Sequence, residues 1–88
     1  MPNVTVKIVG GKDKENLSAV TVGDKRWGEN GASWGSSQSV PAGKETSIGA
    51  YYSGKRSAVA TFDLGNNDVI IEITADGPGE TGANIVDV

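Results

Sequence analysis

The side chains able to do chemistry in this chain are few, and the missing types constrain it most. Among its 88 residues there is no cysteine and no histidine. Without cysteine there is no thiolate nucleophile, disulfide or cysteine-based metal site. Without histidine the commonest general base, metal ligand and pH switch are also gone. Paired carboxylates or a lysine-activated serine are the catalytic options left. Carboxylate pairs hydrolyse glycosides only across a cleft that holds the sugar, and so short a chain has little scaffold for one. A serine–lysine pair is not legible from spacing alone, and nothing in the chain singles one out. The expectation is a non-enzymatic protein without a cofactor.

Oxygen ligands gather once, at Asp63, Asn66, Asn67 and Asp68. Calcium accepts such groups, but their spacing is not that of an EF-hand loop. Turn chemistry accounts for the same residues, because asparagine and aspartate tolerate tight backbone conformations. No metal is therefore assigned. Phosphate loops are excluded as well, since no glycine motif leads from a strand into a helix.

The aromatic residues carry the remaining functional signal. Trp27 and Trp34 lie in residues 23–37, a stretch of glycine, asparagine and serine without apolar periodicity. Long irregular segments in small domains are often functional. An indole offers a flat apolar face and a polar N–H, which suits a sugar, a lipid headgroup or a protein partner. One tryptophan is expected to plug the end of the core. Trp27, just after Lys25-Arg26, is placed there, and Trp34 is expected to be the exposed ring. Tyr51 and Tyr52 must point to opposite faces of one strand, so one of them joins the candidate surface. Asn30, Ser33 and Gln38 supply polar groups nearby in sequence. The expected site is thus Trp34, Trp27, Tyr51, Asn30, Ser33 and Gln38.

Basic residues adjoin the aromatics, Lys25-Arg26 at Trp27 and Lys55-Arg56 after Tyr51-Tyr52, a pattern loosely like single-strand nucleic-acid binders. The formal net charge of −3 argues against nucleic acid as the main partner.

Positioning these residues falls to short strands. Val4, Val6 and Ile8 alternate with Thr5 and Lys7, which reads as a half-buried strand. Leu17 to Val22, Ser37 to Val40, Ile48 to Tyr52, Ser57 to Leu64, Val69 to Ile73 and Asn84 to Val88 are the further strands expected. Ala58, Ala60 and Phe62 are placed on one face of the Ser57 to Leu64 strand. Gly65-Asn66-Asn67-Asp68 is the clearest turn. No segment has helical apolar spacing, and β-branched residues dominate the apolar runs. The expected fold is all-β, a single-domain antiparallel β-sandwich of roughly six or seven short strands. Its expected core is Val6, Ile8, Val20, Ile48, Phe62, Val69, Ile71 and Ile73. The echo between Gly28-Glu29-Asn30-Gly31-Ala32 and Gly79-Glu80-Thr81-Gly82-Ala83 is read as chance in a glycine-rich chain.

Charge is unevenly spread. All eight cations fall within residues 1–56, whereas residues 57–88 contain acids and no cation. Interleaved strands would mix these halves, while unmixed they would favour head-to-tail association or an anion-binding face. No apolar run approaches the roughly 20 residues of a membrane span. The start Met1-Pro2-Asn3-Val4 lacks the pattern of a secretory signal. The compartment is left open between a cytoplasmic protein and one freed of its signal.

The order of elements resembles the aegerolysin-like proteins. The similarity lies in Asn3-Val4-Thr5-Val6-Lys7-Ile8, Val40-Pro41-Ala42-Gly43, Ile48-Gly49-Ala50 and Ala60-Thr61-Phe62-Asp63-Leu64. It continues through Ile71-Glu72-Ile73 to Asp76-Gly77-Pro78 and Gly82-Ala83-Asn84, without the family's aromatic after Pro78. The resemblance implies a small β-sandwich and binding to membrane lipids or action within a toxin pair. The functional expectation is a non-catalytic module that recognises a glycan or a lipid headgroup through loop aromatics. The alternatives are a structural subunit that self-assembles through strand edges and charge asymmetry, or a protein-directed inhibitor or toxin component.

Overall fold

The computed structural model describes residues 1–88. Alternation of β-branched and polar residues produces eight strands: β1 (Asn3–Gly10), β2 (Leu17–Val22), β3 (Lys25–Gly28), β4 (Ser37–Ser39), β5 (Gly43–Tyr52), β6 (Lys55–Leu64), β7 (Val69–Thr74) and β8 (Gly82–Asp87). One 3-10 turn, Lys14–Asn16, links β1 to β2. No helix is long and apolar enough to cross a membrane.

The strands form two four-stranded sheets, β4-β1-β7-β8 and β3-β2-β5-β6. All pairings are antiparallel except β1 with β7, which runs parallel and sets Val4, Val6 and Ile8 beside Val69, Ile71 and Ile73. That pairing joins the two charge halves within the first sheet. Lys7 meets Glu72 at 3.6 Å there, and Glu72 also accepts from Asn84 Nδ2 at 3.1 Å. The second sheet draws only on residues 17–64 and stays cationic. It carries Lys25, Arg26, Lys44, Lys55 and Arg56 against Glu45 and Asp63.

The inward faces close one core, with Val4, Val6, Val20, Val22, Trp27, Ile48, Ile71 and Ile73 fully buried. Burial at this level contributes about 1.5–3 kcal/mol per large aliphatic side chain. Of the expected core, Val6, Val20, Ile48, Val69, Ile71 and Ile73 are buried, while Ile8 and Phe62 are half-buried and pack against the cluster. Tyr52 takes the inner face of β5. Its hydroxyl bonds to Thr81 Oγ1 and accepts from the Gly77 N–H at 3.3 Å, which ties the β7–β8 loop to the other sheet.

Two features depart from simple alternation. In β6, Gly49 pairs with Ala58 but Ile48 pairs with Ala60, so Val59 is an extra residue. This bulge turns Val59 toward the core and leaves Ala58 and Ala60 exposed. Ala58, Ala60 and Phe62 therefore do not line one buried face. The second is β3, a strand inside the stretch expected to be irregular, which pairs with β2 through Ala19, Val20, Thr21 and Val22. The two pentapeptide echoes are not equivalent either: Gly28 closes β3 while its counterpart Gly79 lies in a turn, and Gly82 opens β8 while its counterpart Gly31 lies in a bend.

Phe62 sits on an edge strand and keeps part of its ring in solvent. Phe62→Ala should therefore lower stability by about 1–2 kcal/mol, less than the 3–5 typical of an enclosed ring. Chemical denaturation of the parent and the variant measures the difference.

Candidate functional site

Trp27 plugs the core as expected; its ring is wholly enclosed, so it is not one of the side chains that can face a ligand. Val20 and Trp27 pair across β2 and β3, and both point inward. The indole N–H donates to the Ser36 carbonyl at 2.9 Å, which satisfies its one polar group inside the core. Trp34 is half-buried and leans on the same core. Its ring occupies the space beside Gly28, where a Cβ would come within 2.6 Å of Trp34 Cζ2. Gly28 has φ +95°, a conformation that favours glycine, so backbone and ring placement depend on the same missing side chain.

The polar candidates divide. Gln38 is engaged structurally, its amide donating to the Arg26 carbonyl at 2.7 Å and clamping β4 to β3. The Ser33 carbonyl accepts from the Ser36 hydroxyl at 2.6 Å and helps shape the loop that presents Trp34. Asn30 is exposed at a tight turn with φ +59°. Asn30 and Ser33 thus share the loop of Trp34, while Gln38 and Trp27 are committed to holding it. In the turn after β6, the Asp68 carboxylate accepts from the Asn3 N–H at 2.8 Å and anchors the start of β1.

Tyr51 lies elsewhere, on the outer face of the second sheet. Pairing places Gly28, Ala19, Tyr51 and Arg56 along one rung, and Arg26, Thr21, Gly49 and Ala58 along the next. Most of these residues are small, so the face is low and flat around three large side chains. The Arg26 guanidinium lies 4.7 Å from the Tyr51 ring centroid, a cation–π contact. Its Nε donates to the Glu29 carbonyl at 2.6 Å, which fixes the side chain along the sheet. Arg56 stands directly across from Tyr51 on β6 and folds over Gly49. A Cβ at Gly49 would come within 2.5 Å of Arg56 Nε.

One guanidinium thus stacks on Tyr51 and the other, from the residue paired with Tyr51, lies over Gly49, and neither forms an ion pair. The salt bridges of the chain join Lys7 to Glu72 and Lys12 to Glu80. No carboxylate belongs to either rung.

Chain neighbours and spatial neighbours differ here. Arg26 neighbours Trp27 in the chain but stacks on Tyr51 in space. Adjacent strand residues face opposite ways, so the arginine points outward where the tryptophan points inward. The signal was present in two basic–aromatic clusters, and antiparallel pairing of β2 with both β3 and β5 brings their outward members together.

The surface carries no pocket. A ligand would therefore lie along a face, held by side chains that project from it. Compared with protein-family models, curated proteins and solved structures, the chain matches none.

Proposed function

We propose that this chain is a non-catalytic binding module that holds a glycan against the outer face of the second sheet. The observation that carries this reading is Tyr51, an aromatic ring outside the core on a flat face of small residues. Trp34 forms the second part of the surface, at the Gly28 end of the same rung. Neighbouring strands are about 4.8 Å apart, so Gly28 and Tyr51 are separated by about 10 Å, a span suited to an extended oligosaccharide. Asn30 and Ser33 lie in the Trp34 loop and add hydrogen-bonding groups at that end.

A lipid headgroup is the other ligand of this reading, and the aegerolysin-like resemblance supports it. The arrangement of apolar residues favours the glycan. The exposed large apolar residues are Met1, Val9, Val86 and Val88, all on β1, β8 or the chain ends and none in the second sheet. Apart from the half-buried Trp34, the arginine and tyrosine face therefore carries none of the exposed apolar side chains that seat a peripheral protein in a bilayer.

Tyr51→Ala should weaken oligosaccharide binding about tenfold, within the range of stacking contributions, and lower stability by only about 1–2 kcal/mol, as for the other half-buried rings. A glycan array followed by calorimetric titration tests this. A parent protein that binds no glycan would end the reading.

Self-assembly through strand edges is the second reading, and one observation favours it. β6 and β8 are edge strands on the same side of the sandwich, and Val59, Phe62, Ala83 and Ile85 are half-exposed along that side. The Val59 bulge and the charged Lys55-Arg56 start are features that protect edges from pairing, which weighs against assembly. A sedimentation coefficient that rises with concentration and falls with added salt would restore it.

A further inference from the structure

The Arg26, Tyr51 and Arg56 cluster does more than a stacking platform for neutral sugar requires. We propose that the two guanidiniums bind an anionic substituent, a sulfate or carboxylate, on the glycan; this rests on the binding-module reading given above.

Three observations on the same face support the proposal. Both arginines lack a carboxylate partner, although acids outnumber bases in the chain as a whole. An unpaired guanidinium on a folded surface retains donors in a planar fork, which matches the two oxygens of a carboxylate or sulfate. Arg26 has one such donor committed to the Glu29 carbonyl, and this holds its remaining donors in place. Arg56 is positioned by the absence of a side chain at Gly49, where any Cβ would displace it. Gly49 is in a conformation open to other residues, so its glycine is needed for the space and not for the backbone.

Charge on the rest of the molecule narrows the ligand class. The cationic character is confined to the second sheet, while the whole chain is acidic. Such a surface suits a short anionic group better than a long polyanion, which would also meet the acids around it. Successive stacking of bases would need several rings in a basic groove. This face has one tyrosine, too few for successive stacking.

The experiment is calorimetric titration with a sulfated oligosaccharide, its desulfated counterpart, an oligothymidylate of equal charge and phosphatidylserine vesicles. The parent is expected to prefer the sulfated sugar. Arg26→Gln and Arg56→Gln should each weaken that binding about tenfold, a clearly larger loss than for the desulfated sugar. Gly49→Ala should act like Arg56→Gln by displacing the guanidinium. Arg26→Lys, which keeps the charge and loses the fork, should recover only part of the loss. Thermal melting confirms that each variant is folded.

Equal affinity for the sulfated and desulfated sugars, lost on Tyr51→Ala but not on Arg26→Gln or Arg56→Gln, would overturn the inference and leave the glycan reading standing. Tighter binding to oligothymidylate or vesicles would overturn the inference in favour of that anion. Failure to bind either sugar would remove both.

Discussion

Trp27→Ala is expected to leave the chain unfolded, or to melt far below the parent. The ring is wholly enclosed, and it is the largest fully buried side chain in the molecule. Deleting an enclosed tryptophan costs about 3–5 kcal/mol through lost transfer energy and the cavity left behind. The Ser36 carbonyl also loses the indole N–H that bonds it at 2.9 Å. A domain of this length has a total stability on the order of 4–13 kcal/mol, so the loss is a large share of it. Trp34→Ala is the informative comparison. Its ring is half-buried, and the expected cost is about 1–2 kcal/mol. Urea denaturation followed by circular dichroism separates the two. Equal losses would mean that Trp34 is as central to the core as Trp27.

Gly11→Ala should be the most damaging backbone change. Gly11 has φ +126°, far from the region that residues with a side chain adopt. A Cβ there would overlap the Ala75 backbone, where only main-chain atoms lie and none can swing aside. The neighbouring hydrogen bonds show why the approach is so close. The Ala75 N–H donates to the Gly10 carbonyl at 2.8 Å, and the Asp13 N–H donates to the Ala75 carbonyl at 2.9 Å. The Lys12 N–H adds a bond to Asp76 Oδ1 at 3.0 Å. These bonds extend the parallel β1–β7 contact past the Val9 bulge.

Strain and overlap together should cost about 3 kcal/mol or more. Gly79→Ala provides the control, because Gly79 has φ +77° with open space around it. Left-handed strain alone predicts about 1 kcal/mol there. A similar melting temperature for both variants would show that the Ala75 contact does not set the requirement at Gly11.

The strands were legible in the sequence wherever β-branched residues alternate without interruption. Val4, Val6 and Ile8 in β1 and Val69, Ile71 and Ile73 in β7 are the clearest cases, and they proved to be direct neighbours. Their parallel pairing was not legible, since alternation specifies a face and says nothing of strand direction. β3 was missed because Lys25-Arg26-Trp27-Gly28 contains a single apolar residue and has no period to detect. The Val59 bulge was missed for a related reason. An extra residue shifts the phase within one strand, and Ala58, Val59 and Ala60 are too alike in polarity to reveal it.

For the candidate site, the residue types were visible and their grouping was not. Tyr51 was selected because two adjacent tyrosines must face opposite ways, and Tyr52 indeed took the core. Arg26 and Arg56 were noticed only as neighbours of aromatics. Their placement on one face depends on β5 lying between β2 and β6, which is a property of sheet order. Gly49 gave no signal at all, because a glycine that makes room for a facing side chain looks like any other in a chain with 13 of them.

The proposed ligand lies on the outer face of the second sheet. Amide chemical shifts, followed as a bound oligosaccharide from the array is titrated into labelled protein, test it most directly. The largest changes are expected on Thr21, Arg26, Gly49, Tyr51, Arg56 and Ala58, with smaller ones in the Trp34 loop. Changes confined to the β4-β1-β7-β8 sheet, or to the open side between β6 and β8, would contradict it.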